Sequence, residues 1–243
     1  MAKTRFVETH EELSVLAAEK IFSCIQQKPD AVVCLAGGDT PLRTFDIFIE
    51  KTKHHSVDLS KITFVGLDEW IGLDGFDKGS CRNTLDEYLF SPLNVKENQI
   101  IFFDGKAEST EGECNRIRNA INRLGGLDFI LLGIGENGHL GFNEPDVPVD
   151  ELVHIVTLDN ITRESARKYF SSPVNVSKGI TLGMKLILST KEIVTIASGE
   201  SKAPIVDQII NGPVTHKVPA SLLNNLEIAE FIFDKTAASK NFV

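Results

Sequence analysis

Short apolar runs alternate along the chain with longer segments in which apolar residues return every three or four positions. The runs are Ala31–Ala36, Ile62–Leu67, Ile100–Phe103, Leu127–Leu132, Val153–Leu158, Glu192–Ala197 and Ile228–Phe233, and each predicts a strand. Helical spacing is clearest over Thr9–Gln27, where Leu13, Leu16, Ala17, Ile21, Phe22 and Ile25 share a face. Thr9 or His10 stands near the cap, Glu11 and Glu12 fall in the first turn, and Pro29-Asp30 stop the helix. Further helices are predicted after Pro41, over Gly79–Leu89 and over Thr110–Leu124, the last with Ile117, Ala120, Ile121 and Leu124 inward and its arginines solvated. Others are expected over Thr162–Phe170, from Gly199 to about Ile210, and briefly after Ser221. Gly179–Leu188 fits strand or helix equally, and the tail from Thr236 reads as frayed. With no linker, repeat or low-complexity segment, this alternation predicts one α/β domain over residues 1–243, a three-layer α/β/α Rossmann-like unit with a mostly parallel sheet.

The strand ends carry the polar chemistry. Leu127–Leu132 gives way to Gly133, Gly135 and Gly138, with Asn137, His139, Asn143 and Glu144 on the same turn. Titratable residues just past the carboxyl end of a buried parallel strand stand where open α/β sheets bind ligands. After Ala31–Ala36 comes Gly37-Gly38-Asp39-Thr40-Pro41 and then a helix, an order that leaves free N–H groups at a helix N-terminus for an anion. The same residues also fit a tight turn with Thr40 as N-cap and Pro41 at the first helical position. The pattern recurs at Gly199-Glu200-Ser201-Lys202, where Lys202 adds a full positive charge. Ile62–Leu67 ends in Asp68-Glu69-Trp70, and burying either acid uncompensated costs several kcal/mol. Side chains alternate along a strand, so one acid enters a site while the other makes a structural bond.

Composition narrows the picture little. Of 243 residues, 42% are hydrophobic and 24% charged, which is ordinary for a globular protein able to bury a sizeable core. The net charge of −9 argues against a general nucleic-acid binder but leaves room for a local phosphate site. Cys24, Cys34, Cys81 and Cys114 show neither CxxC pairing nor zinc spacing, and Cys34 reads as a core residue. With no signal-like N-terminus and no run of membrane-spanning length, a reduced, cytoplasmic setting is the default expectation, without a membrane partner.

Four stretches together resemble the glucosamine-6-phosphate deaminase family, the hexosamine-phosphate isomerase/deaminases related to 6-phosphogluconolactonases. They are LAGGDTP (Leu35–Pro41), LDEW (Leu67–Trp70), GIGENGHLGFNEP (Gly133–Pro145) and SGESKA (Ser198–Ala203), in the family's order over nearly the whole chain. PDAVVCLAGGDTPL and GGLDFILLGIGENGHLGFNEPD look closest to the galactosamine-6-phosphate branch. The resemblance implies ring opening, a proton shift from C2 to C1 and release of ammonia, leaving a ketohexose 6-phosphate, with no metal or organic cofactor. It gives Asp68 the role of base, His139 that of ring opening, and Glu144 that of orienting the imidazole with Asn137 as its outer partner. It places the phosphate against Gly38, Asp39 and Thr40 with Lys202 opposite, completed by Lys168 or, failing that, Arg167. Gly37, Glu69 and Gly138 are expected to touch the rest of the substrate.

Two residues depart from the family pattern. Asn137 stands where many members have aspartate, so it can hold an imidazolium by hydrogen bond but not by charge. Lys168 stands at an arginine position, keeping charge and losing bidentate geometry. The resemblance leaves glucosamine 6-phosphate as the close alternative substrate, with a lactone hydrolase and a non-catalytic sugar-phosphate sensor behind it. A homo-oligomer is possible, and the allosteric hexamer of part of the family is not expected.

Overall fold

The computed structural model describes residues 1–170, 174 and 176–241. In chain order its strands are β1 (Lys3–Val7), β2 (Val32–Leu35), β3 (Thr63–Gly66), β4 (Asp68–Trp70), β5 (Ile100–Ile101), β6 (Phe129–Gly133), β7 (Val153–Thr157), β8 (Lys178–Leu182), β9 (Glu192–Ala197) and β10 (Ala229–Asp234). Its helices are α1 (His10–Gln27), α2 (Leu42–His54), α3 (Cys81–Leu85), α4 (Thr110–Arg123), α5 (Asn160–Ala166), α6 (Met184–Leu188) and α7 (Ala203–Asn211).

Seven strands form one wholly parallel sheet in the order β1-β10-β9-β6-β2-β3-β5, flanked by helices as a three-layer α/β/α fold. Val33, Cys34, Phe129, Ile130, Leu131, Val194 and Ile232 are buried, as strands covered on both faces must be. From β2 the chain steps outward to β3 and β5, then returns to place β6 on the other side of β2. The winding reverses there, and a parallel sheet opens a crevice beyond the carboxyl ends at such a point.

The Ile62–Leu67 run does not end in a loop. After β3 the chain passes through Leu67 into β4, the edge of a second, antiparallel sheet ordered β4-β8-β7. The joint is pinned at one carbonyl: Leu67 O accepts from Leu182 N (2.9 Å) and from Thr181 Oγ1 (3.3 Å). Thr181 Oγ1 in turn accepts from Phe142 N at 3.2 Å.

Of the two cap candidates it is Thr9 that caps α1, accepting from Glu12 N at 3.2 Å, while His10 is the first helical residue. Several expectations need correction. β1 lies where no strand was expected, because an edge strand with exposed side chains leaves no apolar run. Gly179–Leu188 is both alternatives in turn, β8 followed by α6, with Gly183 at the break. The Thr162–Phe170 helix starts at Asn160 and tightens into a 3₁₀ turn at Arg167–Tyr169. Leu124 faces outward, 42% exposed beyond the end of α4, and Arg116 is not merely solvated, since it donates to Glu113 and to Phe102 O. The tail is docked rather than frayed through Asn241, with Ala237 and Ala238 fully buried; its last two residues lie outside the described ones.

Candidate active site

The carboxyl ends of β2, β3 and β6 open into one cleft. Its wall is built from Gly37–Pro41 after β2, Leu67 and Asp68 at the joint, Gly133–Glu136 with His139 after β6, then Thr162, Lys168, Tyr169 and Lys202. Sequence-predicted residues brought together here are Gly37, Gly38, Asp39, Thr40, Asp68, His139, Lys168 and Lys202. Helix α2 begins one residue later than expected, with Pro41 rather than Thr40 as its cap and no side-chain bond to its first N–H groups. Leu42 N donates to Asp39 O at 3.2 Å, and the N–H groups that follow it have no side-chain cap.

Asp68 and Glu69 point to opposite sides of β4, as alternation requires. Asp68 lines the cleft, 7% exposed. Burial pushes its carboxyl up to about 6, against the Cys81 thiol bonded to it and the charge of nearby His139. Glu69 is fully buried and turns away, accepting from the backbone N–H groups of Trp70 (2.8 Å), Cys81 (3.0 Å) and Arg82 (2.9 Å). Its carboxylate is consumed in holding the start of α3 against β4, which corrects the expectation of a substrate contact. Gly37 packs on that same helix start: a Cβ there would meet Cys81 O at 3.0 Å.

The imidazole of His139 lies across Gly135, where any Cβ would fall 2.2 Å from a ring carbon. Nδ1 of the ring faces Thr162 Oγ1 at 3.2 Å and Glu144 Oε2 at 3.5 Å. Glu144 sits behind the ring rather than in the cleft wall, 4% exposed. Burial raises its carboxyl, but His139, Thr162 and Asn137 together hold it below the usual range. Asn137 does not touch the ring, contrary to expectation. Its Oδ1 accepts from the backbone N of His139 (3.2 Å), and its Nδ2 donates to Glu144 Oε2 (2.8 Å). The asparagine therefore supplies Glu144 with a donor that an aspartate lacks.

At the other end of the cleft Lys168 Nζ pairs with Asp39 Oδ2 at 2.6 Å. The Lys202 side chain is mostly buried and makes no ion pair or hydrogen bond among the described residues. Burial pushes its ammonium down, and Lys168 adds to this while Glu136 and Asp39 oppose it. A desolvated cation without a side-chain partner, beside a glycine turn and a helix start with no side-chain cap, is an arrangement able to take an anion.

Arg167 is exposed and outside the cleft wall, so the fallback to Lys168 falls away. Gly138 packs on Val218 and Ile205 instead of the cleft. Asn143 is a pin, its Nδ2 donating to Leu140 O and Leu182 O and its Oδ1 lying 2.9 Å from His154 Nε2. Thr162, Cys81, Tyr169 and Glu136 were not foreseen. Thr162, Cys81 and Tyr169 reach the cleft only by tertiary folding, whereas Glu136 lies on the same glycine turn as His139 and was passed over. Among the described residues no group of three or more His, Cys, Asp or Glu side chains could hold a metal ion, and no helix is long and apolar enough to cross a membrane.

The fold and sequence recur in known proteins. Residues 7–231 match the family described as glucosamine-6-phosphate isomerases/6-phosphogluconolactonase. The chain belongs to this family. A glucosamine-6-phosphate deaminase of Clostridium botulinum (strain Loch Maree / Type A3) is 38% identical over 235 residues, 96% of each chain. AgaI of Escherichia coli (strain K12), provisionally designated a deaminase, is 41% identical over 218 residues, covering 89% of this chain and 86% of its own. The solved structure of a monomeric glucosamine-6-phosphate deaminase superposes with a TM-score of 0.94 at 37% identity, over 98% of this chain and 99% of that one. A 6-phosphogluconolactonase from Trypanosoma cruzi, at 19% identity and TM-score 0.81 over 100% and 98% of the two chains, shares the fold.

Proposed function

We propose that this family member is an amino-sugar 6-phosphate deaminase whose substrate is galactosamine 6-phosphate, converted with water to tagatose 6-phosphate and ammonia. The observation that carries the deaminase reading is a desolvated carboxylate, Asp68, facing His139 across a cleft whose far end holds the unpaired Lys202. His139 exchanges a proton with the ring oxygen and opens the sugar, with Glu144 and Thr162 fixing its Nδ1 side. Asp68 then takes the C2 proton and returns it at C1, a transfer served by a carboxyl whose affinity for protons is poised near 6. The resulting imine at C2 is hydrolysed by water, and ammonia leaves. Lys202, Lys168 and the Gly37–Thr40 backbone hold the phosphate, which anchors C2 near the base.

The galacto assignment draws on the runs PDAVVCLAGGDTPL (Pro29–Leu42) and GGLDFILLGIGENGHLGFNEPD (Gly125–Asp146). A second reading, glucosamine 6-phosphate giving fructose 6-phosphate, is favoured by the relatives named for that sugar. The test is ammonia release from both amino-sugar phosphates side by side. A higher kcat/KM on the galacto sugar is the expected result; a higher value on the gluco sugar moves the substrate and keeps the chemistry. Release from neither refutes deamination, and hydrolysis of a sugar-phosphate lactone would then be measured.

A further inference from the structure

The anion end of the cleft carries more negative charge than an anion site needs. Lys168 and Lys202 supply two positive charges, yet Asp39 lies on the anion-binding turn itself, and Glu136 lines the same wall. Asp39 is also the partner of Lys168 at 2.6 Å, with both side chains about half exposed. Burial opposes a charged Lys168, and the Asp39 bond, followed by Tyr169, keeps its ammonium above the usual range nonetheless. Lys168 lies over the Tyr169 ring at 4.9 Å, and the Tyr169 hydroxyl stands 4.0 Å from where a Gly38 Cβ would be. Asp39, Lys168 and Tyr169 thus close on one another at the turn, while the Lys202 side chain in the same wall has no such partner.

We propose that Asp39 is a specificity-determining residue that occupies Lys168 in place of the substrate's anionic group and weakens the site for highly charged anions. A phosphate dianion entering beside Lys202 takes Lys168 from Asp39 and leaves that carboxylate unpaired next to it. Like charges so placed repel, and the repulsion is set against every contact the phosphate makes. A single anionic oxygen, or a neutral polar end, suffers less. Asp39 therefore grades ligands by the charge of their terminal group, and the site binds its substrate more loosely than its donors alone would allow. This rests on the reading of the cleft as a sugar-phosphate site.

The experiment is titration of inorganic phosphate into the wild-type protein, Asp39→Asn and Asp39→Ser, with ammonia release from the amino-sugar phosphates measured on the same preparations. Both variants should bind phosphate about three- to fivefold more tightly, the range for one partly exposed charge, with KM falling in step. The gain should shrink in about 1 M potassium chloride, where the screening length is a few ångströms. Equal or weaker phosphate binding in both variants overturns the proposal and makes Asp39 a support for Lys168. A gain undiminished by salt overturns it too, since repulsion would not be the cause. If phosphate tightens as expected while no protein releases ammonia, the deaminase reading fails and the role of Asp39 stands.

Discussion

At the scale of single residues, Asp68 joins activity to instability. Its carboxyl is raised to about 6, so turnover should fall as pH drops below that value and the base becomes protonated; a pH profile of kcat/KM checks this. The same shift has the opposite sign for stability. The folded chain holds this proton more tightly than the unfolded one, so stability declines as pH rises from about 4 to about 6. Asp68→Asn should abolish ammonia release, keep phosphate binding, and unfold at a higher temperature than wild type at pH 7. The gain is on the order of 2–3 kcal/mol and should vanish near pH 4, as thermal melts at both pH values would show. Asn137→Asp should not improve turnover. It removes the donor to Glu144 and sets two carboxylates 2.8 Å apart where the amide now bonds, so slower turnover and a less stable protein are expected. Asp68, His139 and Glu144 were legible in the sequence because polar groups at strand ends stand out against apolar runs. The true partner of Asn137, and Thr162 on the ring, were not, because they depend on how the Gly135–Glu144 turn closes.

At the scale of elements, the parallel strands other than β1 were legible to within a residue or two, since burial on both faces writes itself as continuous apolar sequence. β4 was not, being three residues, two of them acids, whose strand character comes from pairing with β8. Its attachment depends on Thr181, which is buried and bonds to Leu67 O, Leu182 O and Phe142 N. Thr181→Val leaves Phe142 N without its acceptor. A loss of roughly 1–3 kcal/mol in denaturant unfolding is expected, together with a drop in kcat, because Asp68 is the residue opposite Thr181 in the ladder.

At the scale of the whole molecule, chemistry and structural bracing occupy opposite ends of the large sheet. Beyond the amino end of β2 and β6, Asp128 binds Lys28 (2.6 Å), Lys191 (2.8 Å) and Val32 N (2.8 Å). Burial raises its carboxyl, but Lys191, Lys28 and Val32 N bring it below the usual range, so its contribution to stability is present above about pH 4 and fades as pH falls further. Asp128→Asn should cost roughly 1 kcal/mol in urea unfolding at neutral pH and leave KM for the sugar phosphate where it was.

The seam at Leu67 makes the cleft a gauge. Asp68 rides on the small sheet, whereas Lys202 and Gly37–Thr40 belong to the large one, so the gap between the proposed base and the proposed phosphate end is set by how the two sheets are bolted at Leu67 O and through Phe142 and Asn143. A sugar phosphate one carbon shorter, held by the same seat, brings its C2 up short of the carboxylate. Length is thus judged by the framework itself, and its tolerance is the play in the hydrogen bonds that join the two sheets.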